Sequence, residues 1–391
     1  MKVRVLSAIF AVVFVLILLI PLLFTDLSSG NISKWENRRL EPFPTMTNLL
    51  HRPAAFIWQF NAWFTDHVGF RGESFGLYRK LMHLARGAHF QEGAYMILIG
   101  NEGYHYCFGY HGLQISRYQG ASILSDEALK GLSEGLLAAK HYLDEKSIPL
   151  IVVFCPDKDE VYPEYLPKSV VRGPEPTQLD VITEFAKSYT GLDVFNTKEC
   201  LLTAKDSQLV FDKDGDLYML THWNEIGAFF AYQDLMKHIQ AYMPEIETVP
   251  IEDTEITYAD RYGFPNIPDI RLKQSKSFRQ LGAEAFADVP IAPSIYYDYD
   301  VVYENDNPAL PTLLIMRDSY VGDTYTGEYN FWCRYLPQHF GKTIFIHHRN
   351  MNNFDSYVAY FRPDIVIFQA TERELGYFSE YVSTLQDLES F

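Results

Sequence analysis

Leu313-Leu314-Ile315-Met316, followed at once by Arg317-Asp318-Ser319-Tyr320, is the stretch on which the reading of this chain turns. Four apolar residues in a row fit a strand buried on both faces, and the polar turn behind them sets Ser319 just past the strand's carboxyl end. About a hundred residues earlier, Thr221-His222-Trp223-Asn224 precedes the amphipathic run Glu225 to Tyr242, which places His222 at the mouth of a helix. A serine and a histidine brought to one edge of a sheet are the minimum for nucleophilic acyl transfer.

The surrounding chain keeps an α/β rhythm. Short apolar runs at Pro149 to Phe154, Leu192 to Phe195, Lys342 to Ile346 and Asp364 to Phe368 read as strands. Helical patterns lie between or before them, from the cap Ser125-Asp126 to about Glu145, at Gln178 to Tyr189, and around Asn330 to Leu336. Short apolar strands alternating with helices predict a mainly parallel sheet covered on both faces, with any site outside the strands' carboxyl ends. Met96 to Ile99, then Gly100-Asn101-Glu102-Gly103-Tyr104, reads as a strand, a tight turn and a second short strand.

Residues 243–311 break the rhythm with frequent proline, among them Pro244, Pro250, Pro265, Pro268, Pro290 and Pro293, and are read as an irregular insertion folded onto the same domain. Tyr296-Tyr297-Asp298-Tyr299 offers rings that stack on sugars when they line a cleft, although packing within the insertion is the simpler role.

At the amino end, Lys2 and Arg4 precede the apolar run Val5 to Phe24, and Asp26 follows it. About twenty residues at roughly 1.5 Å each span a bilayer core, and the flanking charges leave the amino end in the cytoplasm. A cleaved signal peptide is the alternative, but the apolar run is long for one and Thr25-Asp26-Leu27 offers no small-x-small site. Either reading exports the rest of the chain. The expected organisation is an anchor at 1–25, a juxtamembrane tether and helical segment at 26–85, and a large domain at 86–391. A helical pattern from Ala54 to Leu84 carries Phe56, Phe60, Trp63, Phe64, Phe75, Tyr78, Leu81 and Leu84.

The 33 basic and 50 acidic residues leave a net charge of −17, which argues against nucleic acid as a partner. With 48% hydrophobic and 15% aromatic residues, the chain has the composition of a filled globular core. Cys107, Cys155, Cys200 and Cys333 lie far apart, without zinc-ligand spacing; one disulfide is compatible with export, but spacing assigns none. No metal and no cofactor beyond an acyl donor is expected.

Several segments, taken in order, resemble a known family: Glu36-Asn37-Arg38, Gly100-Asn101-Glu102-Gly103-Tyr104, Pro156-Asp157-Lys158, Tyr162 to Pro167, Thr221-His222-Trp223-Asn224 with Gly227-Ala228, Arg317-Asp318-Ser319-Tyr320, Arg362-Pro363-Asp364 and Glu372-Arg373. The set resembles the AlgJ/AlgX-like proteins of polysaccharide O-acetylation, whose catalytic domain is SGNH-hydrolase-like. The resemblance implies a three-layer α/β/α sandwich outside the cytoplasmic membrane. It also implies a polysaccharide acceptor, and a membrane-bound O-acyltransferase that delivers the acetyl group. Ser319 then matches the nucleophile, His222 the general base, and Asp318 the acidic residue before the serine, with Arg317 where the family has glycine.

One departure stands out. The family's Asp-x-His pattern puts an aspartate two residues before the histidine, and here that residue is Leu220. Asp214 and Asp216 are the nearest replacements if the intervening stretch bulges, although a solvated acidic hairpin is the simpler reading. A backbone carbonyl is the other group able to hold Nδ1–H. Trp223 is either a sugar platform or core, and Lys158 either binds an anionic group at the sheet edge or is solvated. The expectation is an acetyl transfer to an exported polysaccharide, with an esterase on the same site or a catalytically impaired scaffold as alternatives. The backbone N–H of Ser319 and a nearby loop would form the oxyanion site.

Overall fold

The computed structural model describes residues 2–26, 32–33, 38–70, 74, 89–92, 95–110, 117–120, 124–173, 175–215, 217–261, 264–291, 300–322 and 331–390. The chain divides into two compact units, Met1–Phe90 and Gln91–Phe391. In the first, α1 (Lys2–Leu23) and α2 (Pro53–His67) are the longest elements. The Asp26 N–H donates to the His67 carbonyl at 2.9 Å, and the buried Trp63 ring packs edge-on against Phe43, 4.8 Å away. α2 covers the first half of the helical pattern read from Ala54 to Leu84; Phe75 to Leu84 lie outside the described residues.

The apolar amino-terminal run is thus helical, but among the described residues no helix is long and apolar enough to cross a membrane. The side chains of several α1 residues lie outside that description.

The second unit is built on a seven-stranded sheet. Its strands, numbered along the chain, are β1 (Leu150–Cys155), β2 (Asp193–Asn196), β3 (Phe278–Leu281), β4 (Val301–Asn305), β5 (Thr312–Arg317), β6 (Lys342–His347) and β7 (Ile365–Thr371). Their order across the sheet is β3-β4-β6-β5-β7-β1-β2. The five strands from β6 to β2 run parallel, whereas β4 is antiparallel to both of its neighbours.

The sheet is therefore mixed, where the sequence pointed to a mainly parallel one. The two added strands come from residues 243–311, the segment read as irregular, which also carries the hairpin Thr254–Arg261/Phe264–Leu272. Only a short turn joins β4 to β5. A parallel crossover needs a dozen or more residues and a helix, so a strand on so short a connection enters the sheet running the other way. Tyr296 to Tyr299 lie outside the described residues.

Strand alternation explains the layering. Ile151, Val153, Leu313, Ile315 and Ile367 face one core with Ala228, Phe229, Tyr232, Leu235 and Met236 of α6 (Glu225–Tyr242). Their neighbours Val152, Phe154, Leu314, Met316 and Val366 face the other core, against α3 (Asp126–Asp144) and α4 (Gln178–Thr190). Each fully buried Leu, Ile, Val or Phe contributes about 1.5–3 kcal/mol relative to exposure. The two-residue period delivers that gain to both faces at once.

Caps set the helix starts. The Ser125 hydroxyl accepts from the Ala128 N–H at 3.1 Å before α3, and Thr177 and Asp180 form a reciprocal capping box before α4. A five-residue helix, α5 (Leu217–Thr221), leads directly to α6, which is capped by Asn224: its Oδ1 accepts from Ile226 N at 3.1 Å and Gly227 N at 3.0 Å. His222 occupies the short bend between these two helices. The carboxyl ends of β5, β7 and β1 are adjacent and point the same way, so the segments after Arg317, Thr371 and Cys155 emerge at one sheet edge.

Candidate active site

Ser319 opens a single 3₁₀ turn, Ser319–Val321, directly behind β5. Its hydroxyl lies 2.8 Å from His222 Nε2. His222 Nδ1 is 2.9 Å from the Tyr218 carbonyl oxygen and 2.9 Å from Thr221 Oγ1. The Thr221 hydroxyl itself donates to the Tyr218 carbonyl at 3.1 Å. A hydroxyl has one proton, so with that proton on the carbonyl, Thr221 is left to accept. The carbonyl can only accept. The network therefore assigns the proton to Nδ1 and leaves Nε2 free to take the Ser319 proton.

The origin of this arrangement is local. The last carbonyls of a helix have no intrahelical partner. α5 ends at Thr221, so the Tyr218 carbonyl is available four residues before His222. The Tyr218 ring stacks on the imidazole, with centroids 3.8 Å apart and planes within 7°. The Tyr218 hydroxyl reaches across to donate to the Ser319 carbonyl at 3.0 Å. One residue thus fixes the histidine from two sides and ties it to the nucleophile's turn. Burial pushes the His222 imidazole well below its ordinary pKa, and the positive charge of Arg373 adds to this, against the opposing pull of the Tyr218 carbonyl. His222 is a neutral acceptor at neutral pH.

Asp318 faces away from the histidine. Its Oδ2 accepts from Thr371 N at 2.6 Å and Thr371 Oγ1 at 2.7 Å; its Oδ1 accepts from Gln369 Nε2 at 3.0 Å and Tyr320 N at 2.9 Å. Its own N–H donates to Gln369 Oε1 at 2.9 Å. A carboxylate with four donors clamps the nucleophile's turn to the end of β7. Arg317 is 1% exposed and sends Nη1 toward the Asp318 and Gly322 carbonyls, at 3.3 and 3.4 Å, bracing the same turn from within.

Among the described residues, no carboxylate is bonded to His222. Asp214 accepts from His105 Nδ1 at 2.6 Å and caps Gly215 N at 2.8 Å, so it is engaged elsewhere. Asp216 lies outside the described residues. Leu220 is buried.

Lys158 is neither solvated nor open to a ligand. Its ammonium is buried and donates to the carbonyls of His105 at 2.7 Å, Lys213 at 3.1 Å and Asp212. Those bonds pin the 212–213 loop that feeds into α5, so Lys158 acts on the site at a distance. Trp223 is core rather than platform: it is 1% exposed, and its Nε1–H donates to the Tyr320 carbonyl at 3.0 Å.

Sequence reading gave no role to Tyr218, Gln369 or Thr371. A backbone carbonyl leaves no mark on residue type, because any residue at position 218 carries one. Gln369 and Thr371 do carry a signal: two polar side chains at the end of the otherwise apolar run Ile365 to Thr371, on the strand beside the nucleophile's own.

A strand-end serine paired with a histidine at a helix mouth, on an α/β sheet covered on both faces, is the layout of an SGNH-like α/β fold. The comparisons place it more closely. Residues 121–264 match the family described as "SGNH hydrolase-like domain, acetyltransferase AlgX", so this segment is similar to that domain. The match includes His222 and Trp223 and ends before Ser319. No curated protein matches the chain. Among solved structures, Bacillus cereus PatB1 with a sulfonyl adduct aligns at 17% identity with a TM-score of 0.50, over 73% of this chain and 97% of that one. The O-acetyltransferase domain of Pseudomonas putida AlgJ aligns at 15% identity with a TM-score of 0.45, over 74% of this chain and 98% of that one. At such identities the likeness to PatB1 concerns the fold.

Proposed function

We propose that this protein is a membrane-anchored O-acetyltransferase that moves acetyl groups onto hydroxyls of an exported polysaccharide through an acetyl-Ser319 intermediate. The observation that carries the reading is the 2.8 Å contact between Ser319 Oγ and His222 Nε2, with Nδ1 held by the Tyr218 carbonyl. The AlgX-type family match supports acetyl as the transferred group, and the polysaccharide acceptor follows from the resemblance to proteins of polysaccharide O-acetylation. The apolar run Val5 to Phe24 supports an anchor with the domain outside the cytoplasm.

In the first half-reaction, Ser319 Oγ attacks the acetyl carbonyl of the donor as its proton passes to His222 Nε2. The Ser319 N–H heads its 3₁₀ turn and so has no partner within it, which leaves it to face the oxyanion. The tetrahedral intermediate collapses, the C–O bond to the leaving group breaks, and His222 returns the proton to that group. In the second half, His222 takes a proton from a polymer hydroxyl, the hydroxyl oxygen attacks acetyl-Ser319, and Ser319 leaves reprotonated. A membrane-bound O-acyltransferase is the expected supplier of acetyl groups.

The test incubates the full-length protein in detergent micelles with p-nitrophenyl acetate and a soluble oligosaccharide acceptor. Mass spectrometry then compares acetylated oligosaccharide with free acetate. Transfer lost in Ser319→Ala supports the reading. Release of acetate alone would make the protein an esterase, and no turnover by a folded protein would make it a binding scaffold.

A further inference from the structure

The loop after β7 brings Arg373 to the same sheet edge as Ser319. Its guanidinium lies over the Tyr320 ring, 5.0 Å from the centroid, and Nη1 makes a short ion pair with Asp157 Oδ1 behind β1. Tyr320 is the residue after the nucleophile, and its ring centroid is 5.1 Å from that of His222. Its hydroxyl donates to the Pro156 carbonyl at 3.1 Å. Arg373, Asp157 and Tyr320 therefore form one contact series leading from the carboxyl ends of β1 and β7 to the histidine.

Asp157 is held in turn by Arg117, whose Nη1 donates to Asp157 Oδ2 at 2.6 Å; Arg117 also pairs with Asp159 at 3.1 Å and Glu372 at 3.3 Å. Burying this many charges is costly, and replacing such clusters with apolar residues is often neutral or stabilising. A structural role alone does not explain a cation placed on the ring beside the base.

We propose that Arg373, anchored by Asp157, is a positioning residue for His222, acting through the ring of Tyr320 and through its own charge. The inference rests on the Ser319–His222 reading. The groups around the imidazole are Tyr218 and Thr221 from its own side, Ser319 and Tyr320 from the nucleophile's turn, Phe331, and Arg373. Of these, Arg373 alone is a permanent cation. Its charge disfavours imidazolium and so keeps Nε2 available as an acceptor. Asp157 partly neutralises that charge, so the two members of the ion pair act on His222 in opposite directions.

The experiment is a ¹⁵N-histidine NMR titration of the full-length protein in detergent micelles, with the His222 signal identified by its loss in His222→Gln. Arg373→Gln is expected to raise the His222 pKa by about one pH unit, as removal of a nearby like charge does. Arg373→Lys, which keeps the charge, should restore most of the difference, and Asp157→Asn should move the value the other way. Equal shifts in the Gln and Lys variants, or shifts of the same sign in Arg373→Gln and Asp157→Asn, would overturn the proposal. Should Arg373→Gln fail to fold, Asp157→Asn still gives the sign. The titration reads His222 directly, so it remains informative even if Ser319 transfers no acetyl group.

Discussion

Asp318 and His222 are both neighbours of Ser319, one along the chain and one across a 2.8 Å hydrogen bond, and they are held in opposite ways. The Asp318 carboxylate accepts four hydrogen bonds from Thr371, Gln369 and Tyr320. The His222 Nδ1, by contrast, is held among the described residues by neutral hydrogen-bond partners, a helix-end carbonyl and a threonine hydroxyl, with a tyrosine ring stacked on the imidazole. The negative charge thus secures the nucleophile's backbone, not the base. In serine proteases, replacing the triad aspartate by asparagine costs about 10⁴-fold, largely by selecting the wrong tautomer. The Tyr218 carbonyl selects the right tautomer. What it lacks is the full charge that stabilises the imidazolium, so Leu220 in place of aspartate weakens the site without disordering it.

The largest effect is expected where the charge is. Asp318→Asn puts an amide among four donors, and the lost charged hydrogen bonds should cost about 3 kcal/mol of stability or more. Urea denaturation measures this, and a loss below 1 kcal/mol would break the contrast between the two residues. Leu220→Asp sharpens it from the other side. A carboxylate forced into that buried position should destabilise the fold by roughly 2–3 kcal/mol and leave acylation of Ser319 no faster. A rate gain of tenfold or more would show that a carboxylate is what the site lacks.

Thr221→Val removes one of the two acceptors at Nδ1 while the carbonyl remains. Acylation should slow by about tenfold, the equivalent of one modest hydrogen bond, as measured by burst kinetics with p-nitrophenyl acetate. The smallest effect concerns pH. The reaction needs neutral His222, whose proton affinity burial and then Arg373 depress. The acylation rate should therefore stay level as pH falls through 6.5 and decline only as it passes the lowered pKa. An inflection at or above pH 6.5 would mean that the imidazole is not buried as described.

The parts of the molecule that follow residue chemistry were legible in the sequence. The β5 run Leu313 to Met316 and the turn behind it, the run Glu225 to Tyr242, and the alternation of strands and helices all leave patterns that hydrophobic period alone reveals. The mixed sheet was not legible, because β3 and β4 are short, lie in a proline-rich stretch, and owe their direction to a short connection rather than to composition. Lys158 was misread for a different reason. A lysine after a strand looks solvated until the loops around it fold and present three carbonyls to its ammonium. The carbonyl that orients His222 belongs to the backbone, and no side chain announces it.

The most direct test of the account is whether Ser319 itself becomes acetylated in a His222-dependent way. The full-length protein is treated with p-nitrophenyl acetate, quenched early, and mapped by peptide mass spectrometry, alongside Ser319→Ala and His222→Gln. The account predicts a single acetyl group on Ser319, absent from Ser319→Ala and formed roughly 10³-fold more slowly or worse in His222→Gln. Acetylation at other residues only, or an unchanged rate on Ser319 in a folded His222→Gln protein, would contradict it.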